Sequence, residues 1–131
     1  GNPSGLQNPP HHLNNNLLLF DYLPYTDILD KMDFAIHHAG SGILMGCIEQ
    51  GIPSLILPQD FDQFDNALRA ELAQVGLVSR KKTESEVLDL FQALISQKDW
   101  SKLHSLTQIS KAYKPTEILY QEIERLLNID K

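Results

Sequence analysis

A chain of 131 residues is long enough to bury one hydrophobic core without disulfide or metal staples, and 42% hydrophobic with 21% charged residues is ordinary for a globular domain. A formal charge of −6 and a sequence pI near 5.2 argue against a nucleic-acid partner, whose affinity comes from Lys and Arg releasing counterions from the phosphate backbone. The apolar runs fall far short of the ~20 residues of a membrane span, the polar start lacks the apolar segment of a secretory signal, and the single Cys47 excludes an internal disulfide and a multi-cysteine metal site, so the cytosol is the expected compartment.

Residues 1–16 hold three Pro, the pair His11-His12 and the run Asn14-Asn15-Asn16, and are expected to be a flexible lead-in, with residues 17–131 forming one domain. From Leu17 short apolar runs alternate with longer amphipathic ones. "LLLFDYL" reads as a strand, "YTDILDKM" as a short helix and "FAIHH" as a second strand. "SGILMGCIEQ" then reads as a helix, "SLILP" as a strand, and "NALRAELAQV" as the body of a long helix ending at Gly76. Strands apolar almost throughout suit a parallel sheet covered by helices on both faces. After a brief strand "GLVSR", Thr83 and Glu86 have capping-box spacing, and Val87, Leu90, Phe91, Leu94 and Ile95 form a helical stripe expected to pack on the core. Two more helices are expected, Ser101 to Tyr113 and Pro115 to Asn128, the second striped with Leu119, Ile123, Leu126 and Leu127. The fold class is α/β, a Rossmann-like parallel sheet with extra C-terminal helices.

The chemistry concentrates between Phe34 and Ala67. Gly40-Ser41-Gly42 follows a strand and opens a helix, where backbone amides can approach a phosphate unobstructed by Cβ atoms; the same glycines, with Gly46, would equally serve turn geometry and close packing. His38, just before the turn, can donate to a diphosphate oxygen or act as a structural strand-end residue. Asp62, Gln63 and Asn66 lie just past the next strand, on the edge where open parallel sheets bind ligands. A carboxylate beside carboxamides suits the vicinal hydroxyls of a sugar, although Asp62 could merely cap its helix and Asn66 face solvent.

Taken together, these residues make Leu17 to Arg80 resemble the C-terminal, donor-binding domain of GT-B glycosyltransferases that use nucleotide sugars, the group of UDP-glycosyltransferases and bacterial antibiotic and sterol glycosyltransferases. The matching positions are Tyr22-Leu23-Pro24, His37-His38, Gly40 to Gly42, Gly51-Ile52-Pro53, Pro58, Asp62-Gln63 and Asn66-Ala67. The resemblance implies that His38, Gly40, Ser41, Gly42 and Ile43 hold the donor diphosphate, the last three through their amides. It further implies that Asp62 and Gln63 bind hydroxyls of the transferred sugar, that Asn66 supports them, and that Tyr22 stacks on the nucleobase rather than packing under the next helix. The expected ligand is a UDP- or TDP-hexose, the expected reaction an inverting transfer to an acceptor hydroxyl, with no metal and no cofactor.

Ile43 stands where the family usually has Ser or Thr, and Gly46 where plant members have a ribose-binding Glu. The catalytic residue and acceptor pocket belong to an N-terminal domain, supplied in cis or in trans, so no catalytic residue is expected in these 131 residues. Two other readings stay open: a non-catalytic nucleotide-sugar-binding or regulatory module of the same fold, and a fragment of a dinucleotide-binding oxidoreductase with Asp60 or Asp62 on the ribose.

Overall fold

The computed structural model describes residues 11–127. Strands β1 (His11–Asn14) and β2 (Leu17–Leu19) pair antiparallel, and 3-10 turns at Tyr25–Asp27 and Leu29–Lys31 lead into β3 (Ala35–His37). Then follow α1 (Ser41–Gln50), β4 (Ser54–Ile56), α2 (Asp62–Leu72), β5 (Gly76–Val78), α3 (Glu84–Ser96), α4 (Ser101–Ala112) and α5 (Pro115–Leu127). Strands β3, β4 and β5 form one parallel sheet in that order, with Leu55 opposite both Ile36 and Leu77. Each parallel step needs a crossover, and α1 and α2 supply the two required.

Burial follows from this order. Central β4 is buried at all three positions, as its unbroken apolar run requires, and Leu55 and Ile56 join Leu44, Ala67, Ala70, Leu94, Trp100 and Leu103 in the main core. Helix α1 stops at Gly51, whose φ of +72° is the left-handed geometry that lets the amides of Gly51 and Ile52 return to the carbonyls of Ile48 and Cys47. Helix α4 locks against that end of α1, with the Thr107 hydroxyl donating to the Ile48 carbonyl at 2.7 Å.

Three expectations need revision. Leu17–Leu19 is a strand outside the parallel sheet, paired instead with His11–Asn14, which the composition had placed in a flexible lead-in. A run apolar at every position has no polar face to specify its neighbour, and the asparagine run is turn chemistry, because the Asn14 side-chain oxygen accepts from the Asn16 amide at 2.8 Å. The first ten residues of that lead-in, and Asn128 at the far end, lie outside the described residues.

The second revision concerns the capping box. Thr83 accepts from the Glu86 amide at 3.3 Å, but the Glu86 carboxylate does not return to Thr83. It takes up the Ser79 hydroxyl at 2.6 Å and the Lys81 and Lys82 amides at 2.8 and 2.9 Å. Those donors, Ser79 first, hold its carboxyl below the usual carboxylate range. The third is the stripe of α3: Leu94 is buried and Val87 and Leu90 pack at the edge of the core, whereas Phe91 and Ile95 face outward. The stripe of α5 is likewise exposed throughout. No helix among the described residues is long and apolar enough to cross a membrane.

Candidate functional site

The parallel register sets His37 opposite Ile56, so the segments after β3 and β4 leave the sheet at the same carboxyl edge. The adjacent histidines there divide their roles. His37 turns inward, its Nδ1 accepting from the Ala39 amide at 3.0 Å, which puts the proton of the neutral ring on Nε2. That Nε2 is buried and has no hydrogen-bond partner among the described residues. Burial, helped by the proximity of His38, lowers the His37 pKa to about 4.

Fully buried Ala39 has φ +68°, an uncommon conformation for a residue with a Cβ. Both its polar groups are held, the amide by His37 and the carbonyl by the Asn66 side-chain amide at 3.0 Å. His38 points to solvent, and its ring lies over Gly40, where an added Cβ would stand 2.8 Å from Nε2.

Gly40 is the N-cap of α1 and offers no capping side chain, so the amides of Ser41, Gly42 and Ile43 have no acceptor within the helix. Their dipoles add to the positive end of α1, and the arrangement is suited to an anion. The Ile43 side chain leans away from this opening, onto the cluster of Leu29, Cys47 and Ile52. The other face of α1 explains the glycine spacing differently: a Cβ on Gly42 would stand 2.9 Å from the Tyr25 hydroxyl, and one on Gly46 2.9 Å from Leu29 Cδ1. Two glycines four apart thus make a shallow track for two large side chains also four apart.

Helix α2 begins on the same edge. Its N-cap is Phe61, not Asp62; Phe61 has φ 36° and ψ −118° and is 85% exposed, an unfavourable backbone for a bulky residue. Asp62 is exposed and makes no capping bond, so its carboxylate is available to a ligand. Gln63 is half committed, because its side-chain oxygen accepts from the amides of Gln59 and Asp60 at 2.9 and 3.2 Å, leaving its NH₂ as the donor on offer. From the loop after β5, Lys82 donates to the Pro58 carbonyl at 2.6 Å and stands 5.5 Å from the Phe64 ring centre.

The structure therefore brings the glycine turn and the start of α2 together, with Asn66 as the direct link. Tyr22 is 42% exposed, and among the described residues it has no side-chain hydrogen bond to the glycine turn or to the start of α2. Sequence reasoning missed Tyr25, Phe61 and Lys82. Tyr25 could have been found from its matched four-residue spacing with Gly42 and Gly46, whereas nothing local marks Lys82. A cavity of about 500 Å³ lies elsewhere, lined by Gln74, Gln97, Asp99 and Trp100, and none of the sequence-derived site residues borders it. It reflects the gap between the ends of α2 and α3 and the start of α4 rather than the chemistry of the carboxyl edge.

Comparison with known proteins identifies the family and the fold. The family model of the erythromycin biosynthesis protein CIII-like C-terminal domain matches residues 4–120. A sterol 3-beta-glucosyltransferase from Leptosphaeria maculans is 34% identical over 107 residues, covering 80% of this chain but 7% of that protein. Among solved structures, the glycotransferase of kitacinnamycin superposes with a TM-score of 0.77 at 21% identity, over 88% of this chain and 31% of the other. Spinosyn rhamnosyltransferase SpnG complexed with thymidine diphosphate gives 0.70 at 24% identity, over 78% and 29%. The chain thus spans a small part of the relatives it matches.

Proposed function

The chain belongs to the family of erythromycin biosynthesis protein CIII-like C-terminal domains, and from that membership we propose that it is the donor-binding part of an inverting glycosyltransferase that takes a UDP- or TDP-hexose. One observation carries the reading: two parallel strands deliver an uncapped helix start and a polar pair to one edge, and the Asn66–Ala39 hydrogen bond fixes them to each other. In this reading the amides of Ser41, Gly42 and Ile43 hold the diphosphate, with His38 donating after a turn of its ring away from Gly40. Asp62 accepts from hydroxyls of the sugar and the Gln63 NH₂ donates to them. Tyr22 covers the base.

Such an edge can stabilise the departing diphosphate with donors already in place before reaction. Deprotonation of the acceptor hydroxyl is assigned to a second, N-terminal domain in cis or in trans, so the chain alone binds donor without turnover. A cytosolic setting belongs to the same reading, since the one cysteine, Cys47, is free and buried. A non-catalytic donor-binding module is the second reading, favoured by Ile43, whose side chain serves the apolar cluster instead of the anion site.

Titration calorimetry with UDP, TDP and NAD tests the proposal. Binding of UDP or TDP without NAD is the expected result; NAD binding with neither nucleoside diphosphate overturns it in favour of a dinucleotide-binding fragment. Asp62→Ala should weaken the sugar-bearing donor and leave the bare diphosphate unchanged, whereas equal loss of both would deny Asp62 its role in sugar recognition.

A further inference from the structure

We propose that Lys82 is the positioning residue of the sugar-binding pair: from the loop after β5 its ammonium group holds the loop after β4, and so sets where Asp62 and Gln63 stand for a nucleotide-bound hexose. The inference rests on the reading of that pair as the sugar site, and it adds a residue from a different segment of the chain.

The loop between β4 and α2 is shaped by bonds between near neighbours. The Gln63 oxygen accepts from the amides of Gln59 and Asp60 at 2.9 and 3.2 Å, the Gln59 side chain donates to the Leu57 carbonyl at 2.9 Å, and the Asp60 carboxylate accepts from the Phe61 amide at 2.9 Å. Bonds of that range give a loop its form without fixing where it lies on the sheet. At its far end the loop enters α2 through Phe61, held at φ 36°, an unfavourable conformation for a bulky residue. The fixed point is Pro58. That residue is buried, and among the described residues the donor to its carbonyl is Lys82 Nζ, at 2.6 Å.

Lys82 is itself prepared for this reach. Its φ of +56° lies in the left-handed region that a residue with a Cβ seldom adopts. The conformation is held at its amide, which donates to Ser79 Oγ at 3.2 Å and to the Glu86 carboxylate at 2.9 Å. The side chain then crosses the sheet edge to Pro58, and its cation stands 5.5 Å from the centre of the Phe64 ring, in the first turn of α2. One ammonium group thus meets both sides of the pair, the loop before it and the helix after it. A surface lysine with no task keeps its ammonium in water and its rotamers free. Without Lys82 the carbonyl of buried Pro58 has no donor, and the loop recovers one from water by moving outward, which carries Asp62 and Gln63 with it.

Lys82→Met keeps the length of the side chain and removes the donor and the charge. On the whole chain, titration calorimetry should show UDP-glucose and TDP-glucose binding about fivefold more weakly to Lys82→Met than to the parent, whereas bare UDP and TDP, which do not use the pair, bind unchanged. In ¹⁵N spectra the amides of Asp62 and Gln63 should shift, and Lys82→Arg, which keeps donors for the carbonyl, should restore the affinity. Phe64→Leu takes away only the ring beside the ammonium; it should weaken the same two donors less, and it carries the comparison if Lys82→Met does not fold. Asp62→Ala separates the proposal from the reading beneath it. If Asp62→Ala weakens the sugar-bearing donors and Lys82→Met does not, the sugar site stands and Lys82 has no part in it. If neither variant distinguishes sugar-bearing from bare diphosphate, the sugar-site reading fails and the Lys82 assignment with it. Equal weakening of all four ligands by Lys82→Met, with a lowered thermal midpoint, would make Lys82 a general contact of the fold and overturn the proposal.

Discussion

Leucine runs meet opposite fates in two regions of this molecule. Within β4, Leu55 is fully buried between two parallel neighbours, whereas Leu17, Leu18 and Leu19 in β2 each remain about half exposed, and Leu119, Ile123 and Leu126 of α5 face outward. The runs differ little in hydrophobicity. They differ in whether the chain itself supplies elements to cover them: β4 has strands on both edges and α1, α2 and α3 around it, while β2 has one partner strand and α5 has no extensive packing partner among the described residues. Apolar sequence states a demand for burial, and topology decides whether it is met.

The largest expected effect tests this directly. Leu55→Ala should destabilise the fold by about 3 kcal/mol, the usual cost of a cavity in a packed core, while Leu126→Ala should change stability by less than about 0.5 kcal/mol. Urea unfolding of the two variants measures both; comparable losses would mean that α5 is a structural part of the core after all. Next comes the tie between the two halves of the carboxyl edge. Asn66→Ala leaves the buried Ala39 carbonyl without its donor, and a loss of about 1–2 kcal/mol is expected from the same measurement.

A pH series sharpens the contrast between inward His37 and outward His38. Unfolded, His37 has the ordinary value of 6.5, and in the fold it is lowered to about 4. Between those values the unfolded chain takes up a proton that the folded chain refuses. The stability His37 contributes is therefore present above about pH 6.5, declines as pH falls toward 4, and changes no further below it. The urea midpoint should follow that course, and His37→Gln should flatten it; an unaltered slope in the variant would remove His37 as the source. The smallest effect belongs to the surface. The Arg69–Asp65 pair, with side chains 75% and 60% exposed, should tolerate Asp65→Ala with a change under about 0.5 kcal/mol, because water and salt screen such pairs. A larger change, again by urea unfolding, would show that the first turn of α2 depends on that carboxylate for more than the ion pair.

How far the sequence could be read follows the same division. Helix α1 was legible to the residue, since an apolar strand, a glycine turn and a closing glycine leave few alternatives. Strands β3 to β5 were legible for the same reason. Leu17–Leu19 was not, because strand character is local while the choice of partner is not. At the site, the shared edge of His38, Ser41, Asp62 and Asn66 was apparent from strand–helix alternation alone. The inward turn of His37 was hidden, as were the use of the Gln63 oxygen within its own loop and the reach of Tyr25 to Gly42. Each depends on side-chain direction across segments, which residue spacing does not encode.

The bond from Asn66 to the Ala39 carbonyl spans 27 positions of the chain. It ties the turn to the seat of α2, so a displacement of either against the other has to stretch or break this bond. Any coupling through such a bond is reciprocal. A diphosphate that tightened the Ala39 turn would raise the affinity of the α2 edge for a sugar by the same factor by which the sugar raised affinity for the diphosphate. A donor carrying both groups would then engage the edge as one cooperative unit, and its binding free energy would exceed what its two halves report when titrated apart.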